Sequence, residues 1–219
     1  SFYSIYNNIT NDFEPKDKNF VQKDFGVQTL KMMKHISKYL IDECFTMDPI
    51  RTAEILSETD DFFYSPYTYG FSNYSRKGYR KNLLTYGNVF DLSNKGPHGT
   101  HLGGTGIAIS NKSKQKELAL EYSYWIAGSD CQQTIFYSNG GQPGNSDAWE
   151  NNIINSETNN FFKNTRLTLN QAWVRPRHNG YMKFQDESGN IINEYLQSNV
   201  SEVQVIEKLK LMYAESFEE

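Results

Sequence analysis

The chain has 219 residues with a net charge of −4, 37% hydrophobic and 15% aromatic residues, enough for one large core or two small ones. An isoelectric point near 5.6 argues against a nucleic-acid footprint, which needs clustered Lys and Arg to neutralise phosphates. No apolar stretch approaches the roughly 20 residues of a membrane helix, and nothing at Ser1 resembles a signal peptide, so no direct membrane span is expected.

Residues 1 to 20 carry Asn7, Asn8, Asn11, Pro15 and mixed charges and read as an irregular lead-in. Val27, Leu30, Met33, Ile36 and Leu40 then recur every three or four residues, the apolar stripe of a helix of about five turns. Asp48 before Pro49 matches an N-cap with proline at the first helical position, opening a short helix through Ile55 and Leu56. The stretch from Asp61 to Gly70 has strand-like aromatics but contains Pro66, so a strand is expected to run out into an aromatic loop. The basic run from Ser75 to Lys81 reads as solvated surface.

At "HLGGTGIAIS", residues 101 to 110, glycines precede an alternating apolar run. Gly103, Gly104 and Gly106 permit a sharp turn or a close approach to the backbone before a strand from Gly106 to Ser110. A helix of roughly four turns follows from about Lys114, with Leu118, Tyr122, Trp125 and Ile126 expected inward and Gly128 as its C-cap. Ser129 with Gln132, Asp147 with Glu150, and Ser201 with Gln204 each have capping-box spacing. The first opens a helix ending at Gly140-Gly141, and the last opens a terminal helix carrying Val205, Leu209 and Met212. The expected chain is mostly helical with a few strands.

Chemistry leaves few marks. Asp60 and Asp61 are adjacent, so on a strand they point to opposite faces and cannot flank one bond. Ser138 lacks the glycines of a nucleophile elbow, and the loop from Gly140 to Gly144 lacks the Lys of a phosphate-binding loop. His98 and His101 follow Pro97 without a helix to set metal geometry, and Cys44 and Cys131 fit buried thiols better than a disulfide framework. No catalytic residue, metal or cofactor is expected. Three loops look like recognition instead: "YSPYTYG" at 64 to 70, "YSNGGQPGN" at 137 to 145 and "WVRPRHNGY" at 173 to 181. Each joins aromatic faces to amide, hydroxyl or guanidinium groups. That repertoire suits a sugar, whose C–H face lies on a ring while its hydroxyls need planar donors.

From about Phe13 to Tyr213 the chain resembles the later part of a family-one extracellular solute-binding protein, the sugar-binding component of ATP-driven importers. The residues that carry the resemblance are "GGTGIAIS", "YWIAGSDCQ", "YSNGGQPGNSDAW", "WVRPRHNGY" and "SEVQVIEKLKLMY". The resemblance implies an α/β, type II periplasmic-binding-protein-like fold of two lobes joined by hinge strands, closing on a sugar or polyol and signalling to a membrane permease. Residues 1 to 219 would form the C-terminal portion of it, with an incomplete first lobe, a hinge crossing near 101 to 106, and a leader preceding the missing part. Localisation would be periplasmic or extracellular, lipid-anchored or secreted.

By the same resemblance Gly103, Gly104 and Thr105 edge the cleft and donate amides or a hydroxyl, while Tyr67 and Tyr69 supply stacking faces. Trp173 and Arg175 contribute a ring and a bidentate donor, with Arg177 exchanging for Arg175 if the strand shifts by one residue. Tyr137 and Gln142 join that set, and Gly141 and Gly144 shape their loop. Two other readings stay open. One is a carbohydrate-active enzyme using Asp60, Asp61 and Asp147; the other is a protein-interaction module whose aromatics bind a partner.

Overall fold

The computed structural model describes residues 1–10 and 19–218. Ten α-helices are present among them: α1 (Phe2–Thr10), α2 (Lys23–Ser37), α3 (Pro49–Glu58), α4 (Lys116–Ala127), α5 (Ser129–Cys131), α6 (Ser146–Glu150), α7 (Asn152–Glu157), α8 (Phe161–Asn170), α9 (Tyr181–Gln197) and α10 (Glu202–Glu215). Short 3-10 turns add Asp42–Phe45 and Ser72–Ser75, and a π turn, Gln132–Phe136, continues α5.

The α/β, type II periplasmic-binding-protein-like fold expected from the resemblance is overturned: the described residues are 55% helical and 1% strand, with no sheet among them. The physical reason is pairing. Alternation along 106 to 110 and aromatics at 61 to 64 describe side chains suited to a pleated surface, but a strand exists only when its amides and carbonyls meet a neighbour. Neither stretch finds one among the described residues, and the single β-bridge joins His101 to Trp173.

The chain divides into two compact units, one of residues 1–47, 90–102 and 171–219, the other of 48–89 and 103–170. In the first, α2 packs against α1, α9 and α10. The core gathers Phe2, Tyr6, Phe20, Leu30, Phe184, Ile206, Leu209 and Tyr213. Contact between α2 and α10 is close because Gly26 has no side chain: a Cβ there would lie 2.8 Å from Ile206 Cδ1. Lys34 on α2 closes the end of α9, donating to the carbonyls of Tyr195, Leu196 and Ser198 at 3.0, 2.6 and 2.6 Å. Carbonyls at a helix end are under-satisfied by the helix itself, here helped by the Ser198 amide on Tyr195 at 3.2 Å, and a cation there also meets the negative end of the helix dipole.

The irregular lead-in is corrected over residues 2 to 10, which form α1; the expectation for 11 to 18 lies outside the described residues. Phe2, Ile5 and Tyr6 have helical spacing and are buried. Asn7 and Asn8 are buried as well, because they bracket a loop: Asn7 Nδ2 donates to the Gly99 carbonyl at 3.1 Å and Asn8 Nδ2 to that of His98 at 3.1 Å. Asn8 Oδ1 accepts from the Leu92 amide at 2.5 Å. Gly99 has φ +81°, and a Cβ would sit 2.5 Å from that of Asn7, so both conformation and space require glycine.

In the second unit Tyr137, Ala148, Ile154, Phe161 and Phe162 form the core, with Tyr86 and Trp149 packed on it. Asp48 caps α3 as expected, accepting from the Arg51 amide at 2.7 Å. The other capping readings are revised. Ser129 Oγ donates to Asp147 Oδ2 at 2.7 Å rather than closing its own helix; α6 is capped by Asn145, which accepts from the Asp147 amide; and Ser201 precedes α10 without a side-chain cap bond. The inward stripe of α4 is also overturned, since Leu118, Tyr122 and Trp125 are 62%, 55% and 49% exposed. Both cysteines are free, Cys131 buried and Cys44 half-buried.

One ion cluster organises the start of the second unit. Glu54 on α3 receives Arg80 Nε at 2.9 Å, Arg80 Nη2 at 2.6 Å and the Tyr74 hydroxyl at 2.6 Å. The Arg80 bonds, aided by Tyr74, hold the Glu54 carboxyl down at about 2, against an ordinary 4.5. A carboxyl depressed on folding stabilises the folded state fully above its unfolded value and loses that contribution as pH falls toward the folded one. The denaturation midpoint should therefore drop between about pH 4.5 and pH 2, and Glu54→Gln should flatten that part of the profile. An E54Q profile as steep as the parent's would assign the loss to other carboxylates.

Candidate functional site

The expected site residues fall in both units. Tyr67, Tyr69, Gly103, Gly104, Thr105, Tyr137 and Gln142 belong to the second, while Trp173, Arg175 and Arg177 belong to the first.

In the second unit the structure brings Tyr69 and Gly103 into contact across 34 positions of sequence. A Cβ on Gly103 would lie 2.7 Å from Tyr69 Cε1, so glycine lets the ring rest on the backbone. Gly103, Gly104 and Gly106 do not use positive φ, which corrects the expectation of a sharp glycine turn: close approach, not left-handed backbone, explains the first of them. Tyr69 keeps 44% of its surface exposed. Beside it Gly104 and Thr105 are exposed, and a Cβ on Gly104 would meet nothing within 4 Å.

Gln142 steadies the neighbouring loop. Its Oε1 accepts from the Ser72 amide at 2.7 Å and its Nε2 donates to the Gly70 carbonyl at 3.3 Å. Gly70 is pressed on Phe161, where a Cβ would lie 2.9 Å from the ring. Tyr67 is half-buried, and burial, with Tyr64 nearby, raises its hydroxyl above the usual range. Tyr137 is buried rather than presented to solvent: its hydroxyl donates to Glu157 Oε2 at 2.9 Å and the Arg76 guanidinium lies 4.0 Å above its ring. Burial first, then that bond to Glu157, pushes the Tyr137 hydroxyl up to about 12.

In the first unit the backbone of Trp173 pairs with the loop at 100 to 102, its amide donating to Thr100 at 2.8 Å and its carbonyl accepting from Leu102 at 2.9 Å. Its half-buried ring meets Tyr3 at 5.1 Å and His101 at 5.4 Å. Burial lowers His101 below the usual histidine range, with Arg175 adding to the effect. Arg175 Nη1 donates to Gln185 Oε1 at 3.1 Å, and Arg177 is exposed.

Sequence reading missed Arg76, Ser156 and Glu157, which line a cavity in the second unit. The only signal was the basic run at 75 to 81, and it does not reveal Tyr137 beneath Arg76. Two of its cations are not solvated surface: Arg76 lies on Tyr137, and Arg80 is paired with Glu54. Of the three acidic groups considered for catalysis, two are tied into the fold, Asp60 by Lys81 at 2.6 Å and Asn82 at 2.8 Å, and Asp147 by Ser129, while Asp61 is exposed.

No family model, no curated protein and no solved structure matches this chain.

Proposed function

We propose that the chain is a non-enzymatic binder of a sugar or related polyol, the capture component of an ATP-driven importer acting outside the cytoplasm. The observation that carries the binding reading is the Tyr69 platform: a half-exposed ring seated on the Gly103 backbone, next to exposed Gly104 and Thr105. An aromatic face takes the C–H side of a pyranose, and adjacent amides and a hydroxyl serve its rim. The importer role and location follow from the resemblance of "GGTGIAIS", "YSNGGQPGNSDAW" and "WVRPRHNGY" to the solute-binding family. The engagement of Asp60 and Asp147 in structural hydrogen bonds supports binding without turnover.

Thermal-shift titration of the chain with mono- and oligosaccharides and polyols tests this, because a ligand of the folded state raises stability by about 2.7 kcal/mol at a hundred times its Kd. A selective, dose-dependent rise is expected, with the sugar recovered intact. Tyr69→Ala should weaken that binding by about 1–3 kcal/mol. Gly104→Val should weaken it too while leaving the unliganded melting point unchanged, since open space surrounds that position. A panel without any response, or hydrolysis of a glycoside, would overturn the proposal.

A further inference from the structure

A second, independent feature of the 48–89 and 103–170 unit is a guanidinium held in place with no carboxylate within 4 Å among the described residues. The Ser72–Ser75 turn that precedes it is fixed by the bond from its Ser72 amide to Gln142, by Asn73 Nδ2 donating to the Gly140 carbonyl at 3.0 Å, and by Ser75 Oγ donating to the Leu84 carbonyl at 2.8 Å. Arg76 leaves this base and lies over Tyr137, its Nη2 donating to the Tyr137 carbonyl at 3.0 Å. Arg80 and Arg166 each have a carboxylate within 4 Å, at Glu54 and Glu150. Arg76 has none among the described residues, and its Nε is buried without a hydrogen-bond acceptor. Removing a cation from water without pairing it is unfavourable, so a fixed, half-buried arginine of this kind is suited to an anion from outside.

The space beside it is sized for one. Arg76, Lys77, Ser156, Glu157 and Asn159 line an open cavity of about 480 Å³, within the range of small-molecule sites. Two cations against one carboxylate favour an anion, and arginine matches the planar fork of carboxylate or phosphate. The same wall offers neutral and acidic partners for hydroxyls. Asn159 Nδ2 is engaged by Thr85 Oγ1 at 2.9 Å, which leaves its carbonyl oxygen as an acceptor, and Glu157 uses only Oε2 on Tyr137.

We infer that this cavity binds a small hydroxylated anion, its carboxylate or phosphate group on Arg76 and Lys77 and its hydroxyls toward Glu157, Ser156 and Asn159. The site does not depend on the Tyr69 platform.

Calorimetric titration at constant ionic strength with gluconate, glucose 6-phosphate, inorganic phosphate and glucose tests it. At least one of the three anions should bind, and any heat from glucose should be unchanged in Arg76→Gln. A response to gluconate alone assigns the carboxylate, and one to the phosphate compounds alone assigns the phosphate. Ser156→Asp, at an exposed position, and Lys77→Gln should each weaken anion binding about tenfold or more without moving the unliganded melting point, a loss of roughly 1.4 kcal/mol. Arg76→Gln should abolish binding, and Tyr69→Ala should leave it unchanged. Absence of binding by all three anions, or anion binding that survives both S156D and K77Q, would overturn the assignment.

Discussion

Phe162→Ala is expected to destabilise the chain by about 3–5 kcal/mol, the usual cost of emptying a large buried aromatic site. Phe162 is 0% exposed and stands at the centre of its core, its ring 5.1 Å from Trp149 and 5.0 Å from Phe161. Both neighbours are pinned by other bonds: Trp149 Nε1 donates to the Pro143 carbonyl at 2.8 Å, and Phe161 is wedged between Gly70 and Tyr86. The surroundings therefore cannot collapse into the space, which puts the cost at the upper part of the range. Urea unfolding followed by far-ultraviolet circular dichroism and Trp fluorescence measures it. Ile153→Ala is the control, because Ile153 is 67% exposed and should change stability by no more than about 0.5 kcal/mol. Equal effects of the two substitutions would refute this account of the core.

Asn8→Leu should cost about 2–4 kcal/mol although leucine keeps the number and branching of side-chain heavy atoms. Asn8 is 0% exposed, and its amide serves a donor and an acceptor at once, the Leu92 N–H and the His98 carbonyl. Leucine leaves both backbone groups without partners, and each buried orphan costs on the order of 1–3 kcal/mol. The loss should appear in the thermal melt and, separately, as faster hydrogen exchange at the Leu92 amide. Unchanged protection at Leu92 would mean that the loop at 90 to 102 holds itself without α1.

These two residues mark what sequence alone could and could not reveal. Devices complete within a few positions were readable: Asp48 before Pro49 announced a cap, and the stripe through Val27, Leu30 and Met33 announced α2. Asn7 and Asn8 were misleading because their partners lie about 90 positions away, so residues that fix a loop looked like the composition of one. The alternation at 106 to 110 was legible as side-chain pattern, but strand formation depends on a partner that the pattern does not supply. α4 taught the same lesson for helices: its apolar residues have the right spacing, yet nothing among the described residues covers Leu118, Tyr122 or Trp125.

The candidate sites were half legible for a related reason. Tyr69 and the Gly103 stretch were each singled out as recognition elements, although only the fold shows that one rests on the other. Arg76 sat inside a basic run that looked uniformly solvated. Its distinction from Lys77 arises from the Tyr137 ring 61 positions later, which no local pattern encodes.

The interleaving of the two units gives the chain an order of assembly on the ribosome. Residues 48–89 and 103–170 are all made before 171–219, so the core around Phe161 and Phe162 can close while synthesis continues. Helix α2 emerges before residues 48–170, yet Ile206 and Leu209, against which it is buried, are made after them. Segments usually fold as they emerge, from the N-terminus onward; here α2 waits for α10, and the unit of residues 48–89 and 103–170 can mature in between.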